Sequence, residues 1–309
     1  MENKILGLHH ITAIANQAKR NLDFYTRVLG VRLVKKTVNF DDPGTYHFYF
    51  GNETGAPGTI LTFFPWEGIG KGINGAGQAT HIGYAINPEA YNFWKNRLTA
   101  NDVSFEETEI FGEKTLAFQD PDGLQLQFIA PKTIDNRTTW ITDEISAENG
   151  LKGFHNVTLT LKNADPTIKV LTDILGYRTE TQDGNRFRLS TDAIETANIV
   201  DIIADETIPY GRGAAGTNHH IAFRVKDDNI LMDFREKVLS AGLQITPKID
   251  RDYFYSLYFR EPGGVLFELA TDNPGFTKDE ALAELGLDLK LPKQYEGIRS
   301  DIEENLPKL

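Results

Sequence analysis

Apolar and polar residues along the chain fall into a pattern that recurs four times. Each round opens with a short strand-like apolar run holding a histidine: HHITAIA, THIGYAI, FHNVTLTL and HHIAFRV, with His10, His81, His155 and His220 in matching places. A stretch with apolar residues at helical spacing follows each one: NLDFYTRVLG, NPEAYNFWKNRLTAND, DPTIKVLTDILG and DNILMDFREKVLSAG. All four open on Asn or Asp and three end on Gly, which is cap chemistry at both ends. Short strands rich in aromatic and β-branched residues come next, as in TYHFYFG, KTLAFQD, RFRLST and YSLYFRE. The turns GAPGT, DPDGL and EPGGV separate the last two strands of their modules. Each round predicts a β-α-β-β-β module. The period is roughly 65–75 residues, too long for a solenoid repeat and suited to a small α+β unit.

The expected organisation is an N-terminal pair of modules over 1–132, a polar linker over 133–150, a C-terminal pair over 151–272 and a charged tail over 273–309. The tail is expected to form short helices packed on the outside. Gly70-Lys71-Gly72-Ile73-Asn74-Gly75 matches G-x-G-x-x-G. That fingerprint needs a strand before it and a helix after it; here a strand follows, so the segment reads as a linker.

Strand alternation suggests where the chemistry lies. In HHIAFRV, His219 shares a face with Ile221, Phe223 and Val225, whereas His220 shares one with Ala222 and Arg224. In GVLFELA, Glu268 stands between Leu266 and Ala270, opposite an apolar face. A carboxylate inside such a strand is costly unless it is paired, protonated or bound to a metal, so His220 and Glu268 are expected to share one concave face. The position of Glu268 becomes Thr62 in module one, Gln127 in module two and Asp201 in module three. If modules three and four share a cup, it holds His155, His220, Asp201 and Glu268. If one and four share it, it holds His10, His220 and Glu268, two imidazoles and one carboxylate with positions left open, a set typical of non-haem Fe(II) oxygen chemistry. Ligand counting leaves both open; the likeness of the two His-His doublets favours one with four.

Composition narrows the class. The chain has 309 residues, 40% apolar and 25% charged, with a net charge of −12 and no cysteine. Thiolate metal sites, disulfides and a cysteine nucleophile are excluded, leaving His, Asp and Glu as metal ligands. The acidic balance argues against nucleic-acid binding, no apolar run is long enough to span a membrane, and the N-terminus reads as lacking a signal peptide. A cytoplasmic protein is expected. The sequence leaves open whether it forms a homo-oligomer.

Four such modules with His at strand starts and Glu near the end resemble the vicinal oxygen chelate superfamily, which includes glyoxalase I, bleomycin resistance proteins and extradiol dioxygenases. More narrowly, LHHITAI, VKKTVNFDDPGTYHFYFGNETGAPGTILTFFP, NHHIAFR and RDYFYSLYFREPGGVLFELATDNPGF are similar to hydroquinone-type ring-cleaving dioxygenases. The resemblance implies an α+β fold of two half-barrel cups. It also implies Fe(II) held by His10, His220 and Glu268, with Mn(II) suited to the same donors, and a small aromatic substrate attacked by O2. Around the substrate it implies His9, Thr12, His219, Arg251 and Tyr258, with His219 leaning into the pocket from the strand end. The competing readings are a glyoxalase-like metal-dependent isomerase or lyase, and a non-enzymatic binder of a quinone or drug. His81 and His155, with Asp201, are expected to be relics of duplication rather than a second site. His47 is expected to be a strand histidine without a catalytic task. Phe48, Phe50, Phe63, Phe64 and Trp66 are expected in the core and cavity wall.

Overall fold

The computed structural model describes residues 4–309. Module one supplies β1 (Leu8–Ala15), α1 (Ala18–Asp23), β2 (Arg32–Val38), β3 (Tyr46–Gly51) and β4 (Ile60–Pro65). Module two supplies β5 (Gln78–Ala85), α2 (Tyr91–Ala100), β6 (Phe105–Ile110), β7 (Glu113–Gln119) and β8 (Gln125–Ala130). Module three supplies β9 (Phe154–Leu161), α3 (Asp165–Lys169), β10 (Arg178–Asp183), β11 (Arg186–Ser190) and β12 (Ile199–Ala204). Module four supplies β13 (Thr217–Val225), α4 (Asp228–Ser240), β14 (Ile249–Asp250), β15 (Phe254–Arg260) and β16 (Leu266–Pro274). Beyond it lie short 3-10 turns and α5 (Arg299–Asn305).

The helices form where spacing and caps agree. In α4, Leu231, Phe234 and Val238 recur at helical spacing and are buried, each worth roughly 2 kcal/mol of removed apolar surface. The Asp227 side chain accepts from the N–H groups of Asn229 and Ile230, satisfying two otherwise unpaired donors. Each module's helix is the crossover that lets its first and last strands pair in parallel.

Two eight-stranded sheets result, in the orders β14-β15-β16-β13-β1-β4-β3-β2 and β10-β11-β12-β9-β5-β8-β7-β6. The first unites modules one and four, the second modules two and three. β1 meets β13 antiparallel at the centre of sheet one, and β5 meets β9 at the centre of sheet two. Both central ladders carry two β-bulges, each adding one unpaired residue. These are His9 and His219 in sheet one, and Thr80 and His155 in sheet two. An extra residue breaks strict alternation and re-aims the side chains beside it.

Residues 276–305 pack along the β2 edge of sheet one. Lys35, fully buried, reaches Asp279 at 2.6 Å and also Glu280. Arg32 donates to the carbonyl oxygen of Leu282 at 2.8 Å, and the Tyr295 hydroxyl donates to the Phe40 carbonyl at 2.7 Å. No helix among the described residues is long and apolar enough to cross a membrane.

Candidate metal centre and its cavity

The site grows from the central ladder of sheet one. His10 on β1, His220 on β13 and Glu268 on β16 are buried, and each offers one ligand atom within 4.8 Å of the other two. His10 Nε2 lies 3.3 Å from His220 Nε2. Glu268 Oε2 lies 2.8 Å from His220 Nε2 and 3.2 Å from His10 Nε2. Neither contact has hydrogen-bond geometry, so Oε2 is buried without a hydrogen-bond partner, while Oε1 accepts from Ser256 Oγ at 2.5 Å. Among the described residues this is the one cluster of three such groups placed to hold a metal ion.

The doublets explain the imidazole orientation. His9 Nδ1 lies 2.9 Å from His10 Nδ1, and His219 Nδ1 lies 2.7 Å from His220 Nδ1. Each contact holds one proton between two nitrogens. When His10 and His220 carry it, their Nε2 lone pairs turn toward each other and toward the carboxylate. Three lone-pair donors facing one another repel unless a cation sits among them, so the donor set fits a metal ion.

Burial pushes the His220 imidazole below its ordinary range despite the attraction of Glu268. Burial, then the charge of His10, holds His9 well below that range; His219, partly enclosed but open to the cavity, is lowered by its surroundings and by the charge of His220. Neutral imidazole is the ligating form. Burial alone would raise the Glu268 carboxyl; attraction to His10 and His220 outweighs it and holds the group well below the usual carboxylate range.

A cavity of about 470 Å³ opens over these residues. Its polar edge includes Thr12, His219, Arg251 and Tyr258, and its aromatic walls include Phe40, Phe64, Trp66 and Phe254. Arg251 Nε donates to the Tyr258 hydroxyl at 3.3 Å. Burial raises the Tyr258 phenol above its ordinary value, so it keeps its proton. Trp66 is pinned by its indole N–H, which donates to Asp42 Oδ2 at 2.9 Å.

Several expectations change against these positions. Strict alternation would send His219 to the apolar face; as the bulge residue it lines the cavity and is exposed. His9 is buried behind His10, edge-on to Phe254 at 5.1 Å, and does not line the cavity. Of the expected aromatics, Phe64 and Trp66 line the cavity, whereas Phe48, Phe50 and Phe63 are fully buried core. His155 does not match His220: the bulge pattern and the Thr158–Asp201 pairing make it the counterpart of His219, and Asn156 the counterpart of His220. His81, His155 and Asp201 form no ligand cluster. His155 instead contacts Glu113 at 3.0 Å.

Among the cavity residues that were missed are His47 and Tyr49. The signal was available: in β3 they alternate with the buried Phe48 and Phe50, which places them together on the opposite face. The loop 39–42, which roofs the cavity, left no such mark in the sequence.

A family model described as the Glyoxalase/Bleomycin resistance protein/Dioxygenase superfamily matches residues 7–128 and 153–269. The chain is 44% identical over 308 residues to the provisionally named ring-cleaving dioxygenase MhqO of Bacillus subtilis (strain 168), covering 99% of this chain and 97% of that protein. It is 34% identical to the chlorohydroquinone/hydroquinone 1,2-dioxygenase of Sphingobium indicum, covering 98% of this chain and 96% of that one. A crystal structure of a provisionally named dioxygenase from Bacillus subtilis superposes with a TM-score of 0.96 at 42% identity, covering all of this chain and 98% of the other.

Proposed function

The chain belongs to the glyoxalase/bleomycin resistance protein/dioxygenase superfamily, and from that premise we propose an Fe(II)-dependent, extradiol-type dioxygenase that opens the ring of hydroquinone or a related dihydroxybenzene with O2. It is an enzyme of the ring-cleaving dioxygenase class, as its full-length relatives are named. The observation that carries the metal assignment is the buried, unpartnered Glu268 Oε2 facing two imidazole Nε2 atoms.

His10, His220 and Glu268 would hold the ion, and Mn(II) suits the same donors. Bound Fe(II) would supply Lewis acidity to ionise one substrate hydroxyl and the one-electron chemistry that lets O2 react with a closed-shell ring. His9 and His219 keep the ligand tautomers, each accepting at Nδ1 the proton carried on its neighbour's Nδ1. With its Nδ1 so engaged, His219 presents Nε2–H to the cavity as a donor. Tyr258 accepts from Arg251 and has its own proton to give to a substrate oxygen, while the guanidinium stabilises negative charge growing on the ring. Phe64, Trp66 and Phe254 flank a flat ring and exclude water. In the reaction, the carbon–carbon bond beside one hydroxyl-bearing carbon breaks, both atoms of O2 enter the product, and a ring-opened semialdehyde acid results.

The test is oxygen uptake by anaerobically purified, Fe(II)-loaded protein on addition of hydroquinone or methylhydroquinone. Stoichiometric uptake with a new ring-opened chromophore is expected. No uptake with these or with catechols, at one verified iron per chain, would overturn the reading and favour a metal-dependent isomerase on the same scaffold.

A further inference from the structure

Across the cavity floor from Tyr258 runs a second chain of polar groups. The ladder sets Thr12 of β1 beside Thr62 of β4, and Thr62 beside Tyr49 of β3. Thr12 Oγ lies 2.8 Å from Thr62 Oγ, Thr62 Oγ lies 3.0 Å from His47 Nε2, and His47 Nδ1 lies 3.0 Å from the Tyr49 hydroxyl. By register, Thr62 stands where module four has Glu268, and Tyr49 where it has Tyr258. Two residues earlier on their strands, His47 matches Ser256. Module four thus anchors a carboxylate with a serine hydroxyl, and module one anchors a neutral threonine with an imidazole.

Only one polarity satisfies this chain. The Tyr49 side chain is almost wholly buried, its ring against those of Tyr253, Phe254 and Phe276, and among the described residues its hydroxyl is within hydrogen-bond distance of His47 Nδ1. Burial raises the phenol well above its ordinary value and pushes the His47 imidazole well below its own, so both groups are neutral. Tyr49 then donates to Nδ1. A neutral imidazole that accepts at Nδ1 carries its hydrogen on Nε2, which donates to Thr62. Thr62, having accepted, gives its proton to Thr12. The reverse order would leave the Tyr49 proton without an acceptor among the described residues. In the favoured order the surplus proton belongs to Thr12, which lines the cavity.

We infer that Tyr49, His47 and Thr62 are positioning residues that fix Thr12 as a hydrogen-bond donor into the cavity, so that the floor prefers a phenolate oxygen over a neutral hydroxyl. This rests on reading the cavity as the seat of a phenolic substrate, and the experiment separates the two ideas. Full-length protein labelled with ¹⁵N-histidine and loaded with diamagnetic Zn(II) reports the His47 tautomer from its nitrogen shifts, assigned by loss in His47→Gln. Nε2–H is expected in the parent and a mixed or reversed tautomer in Tyr49→Phe. An Nδ1–H parent, or no change in the variant, overturns the inference.

The second readout is binding of 4-nitrophenol followed by its visible absorbance. Tyr49→Phe and Thr12→Val are each expected to weaken nitrophenolate binding about three- to tenfold. In the Thr12→Val background, Tyr49→Phe is expected to add nothing, whereas additive losses overturn the inference. His47→Gln, which can still accept from Tyr49 and donate to Thr62, is expected to bind more tightly than His47→Leu; equal loss in both counts against the network. A correct tautomer and coupling without oxygen uptake would sink the dioxygenase reading alone, and turnover with an Nδ1–H His47 would sink the network alone.

Discussion

Sheet one and sheet two share a plan down to the bulges, yet one surrounds a cavity and the other closes over an ion-pair network. By register, His10 corresponds to His81, His220 to Asn156, Glu268 to Asp201 and Tyr258 to Arg188. Arg188 grips Asp201 with two bonds, at 2.8 and 2.9 Å, and reaches Glu113 at 2.6 Å. Phe111 lies against the guanidinium at 4.6 Å. Asn156 donates to Asp201 at 2.6 Å, and the strand opposite has room for its amide only because residue 83 is glycine, whose Cβ would fall 1.9 Å from Oδ1. The scaffold buries a carboxylate at this point in both cups, and a buried carboxylate needs positive charge. Sheet two supplies it covalently through Arg188; on the proposed reading sheet one would leave it to a metal ion, which keeps positions open for chemistry.

The contrast breaks most sharply at the carboxylates. Glu268→Gln is expected to weaken metal retention at least about a hundredfold and to cost on the order of 10³ in oxygen uptake. Asp201→Asn is expected to leave metal content unchanged; metal analysis after dialysis checks both. Arg188→Met removes the cation from sheet two and strands Asp201 and Glu113, so urea unfolding should show a loss of about 3–5 kcal/mol with metal binding intact.

His81 sharpens the comparison through pH. Burial, then the charge of Arg186, lowers it to about 4 from 6.5. The folded chain binds fewer protons than the unfolded chain between those values. The stability linked to neutral His81 is therefore complete above about pH 6.5 and is lost as pH falls toward 4, on the order of 3 kcal/mol in all. Unfolding at about pH 7 and about pH 5 should differ less in His81→Gln than in the parent, with or without metal.

Smaller effects test the cavity itself. Tyr258→Phe is expected to lower kcat about tenfold, roughly 1.4 kcal/mol, with metal retention unchanged. Its counterpart change in sheet two, at Arg188, should act on stability rather than on kcat. Tyr295→Phe frees the Phe40 carbonyl above the cavity and should raise KM about twofold, under about 1 kcal/mol.

Much of this was legible in the sequence. The four modules follow from periodicity and turn chemistry, and α2, α3 and α4 lie inside their expected stretches. α1 begins three residues before its expected Asn21. His220 and Glu268 were joined correctly by strand alternation and the cost of a buried carboxylate. The bulges were not legible, because an extra residue in a ladder has no side-chain signature. That is why strict alternation sends His219 to the apolar face, leaving the resemblance alone to place it in the pocket, and why His155 was paired one residue out of step. Pairing of module one with module four depends on contacts between distant segments, to which periodicity is blind; the likeness of the doublets and the family resemblance pointed to it. Arg188 reads as an ordinary polar residue on an alternating strand until Asp201 is known to lie beside it.

The joining of β1 to β13 also orders events during synthesis. His10 and His220 stand 210 positions apart, whereas every strand of sheet two lies in one unbroken run from β5 to β12. Sheet two can close while the ribosome is still making module four. β1 must wait with an unpaired, apolar edge while modules two and three are made, on the order of ten seconds or more at usual elongation rates. Until β13 arrives to pair with it, that edge stays open to pairing with other chains. The half of the molecule that holds the candidate metal centre is the last to assemble.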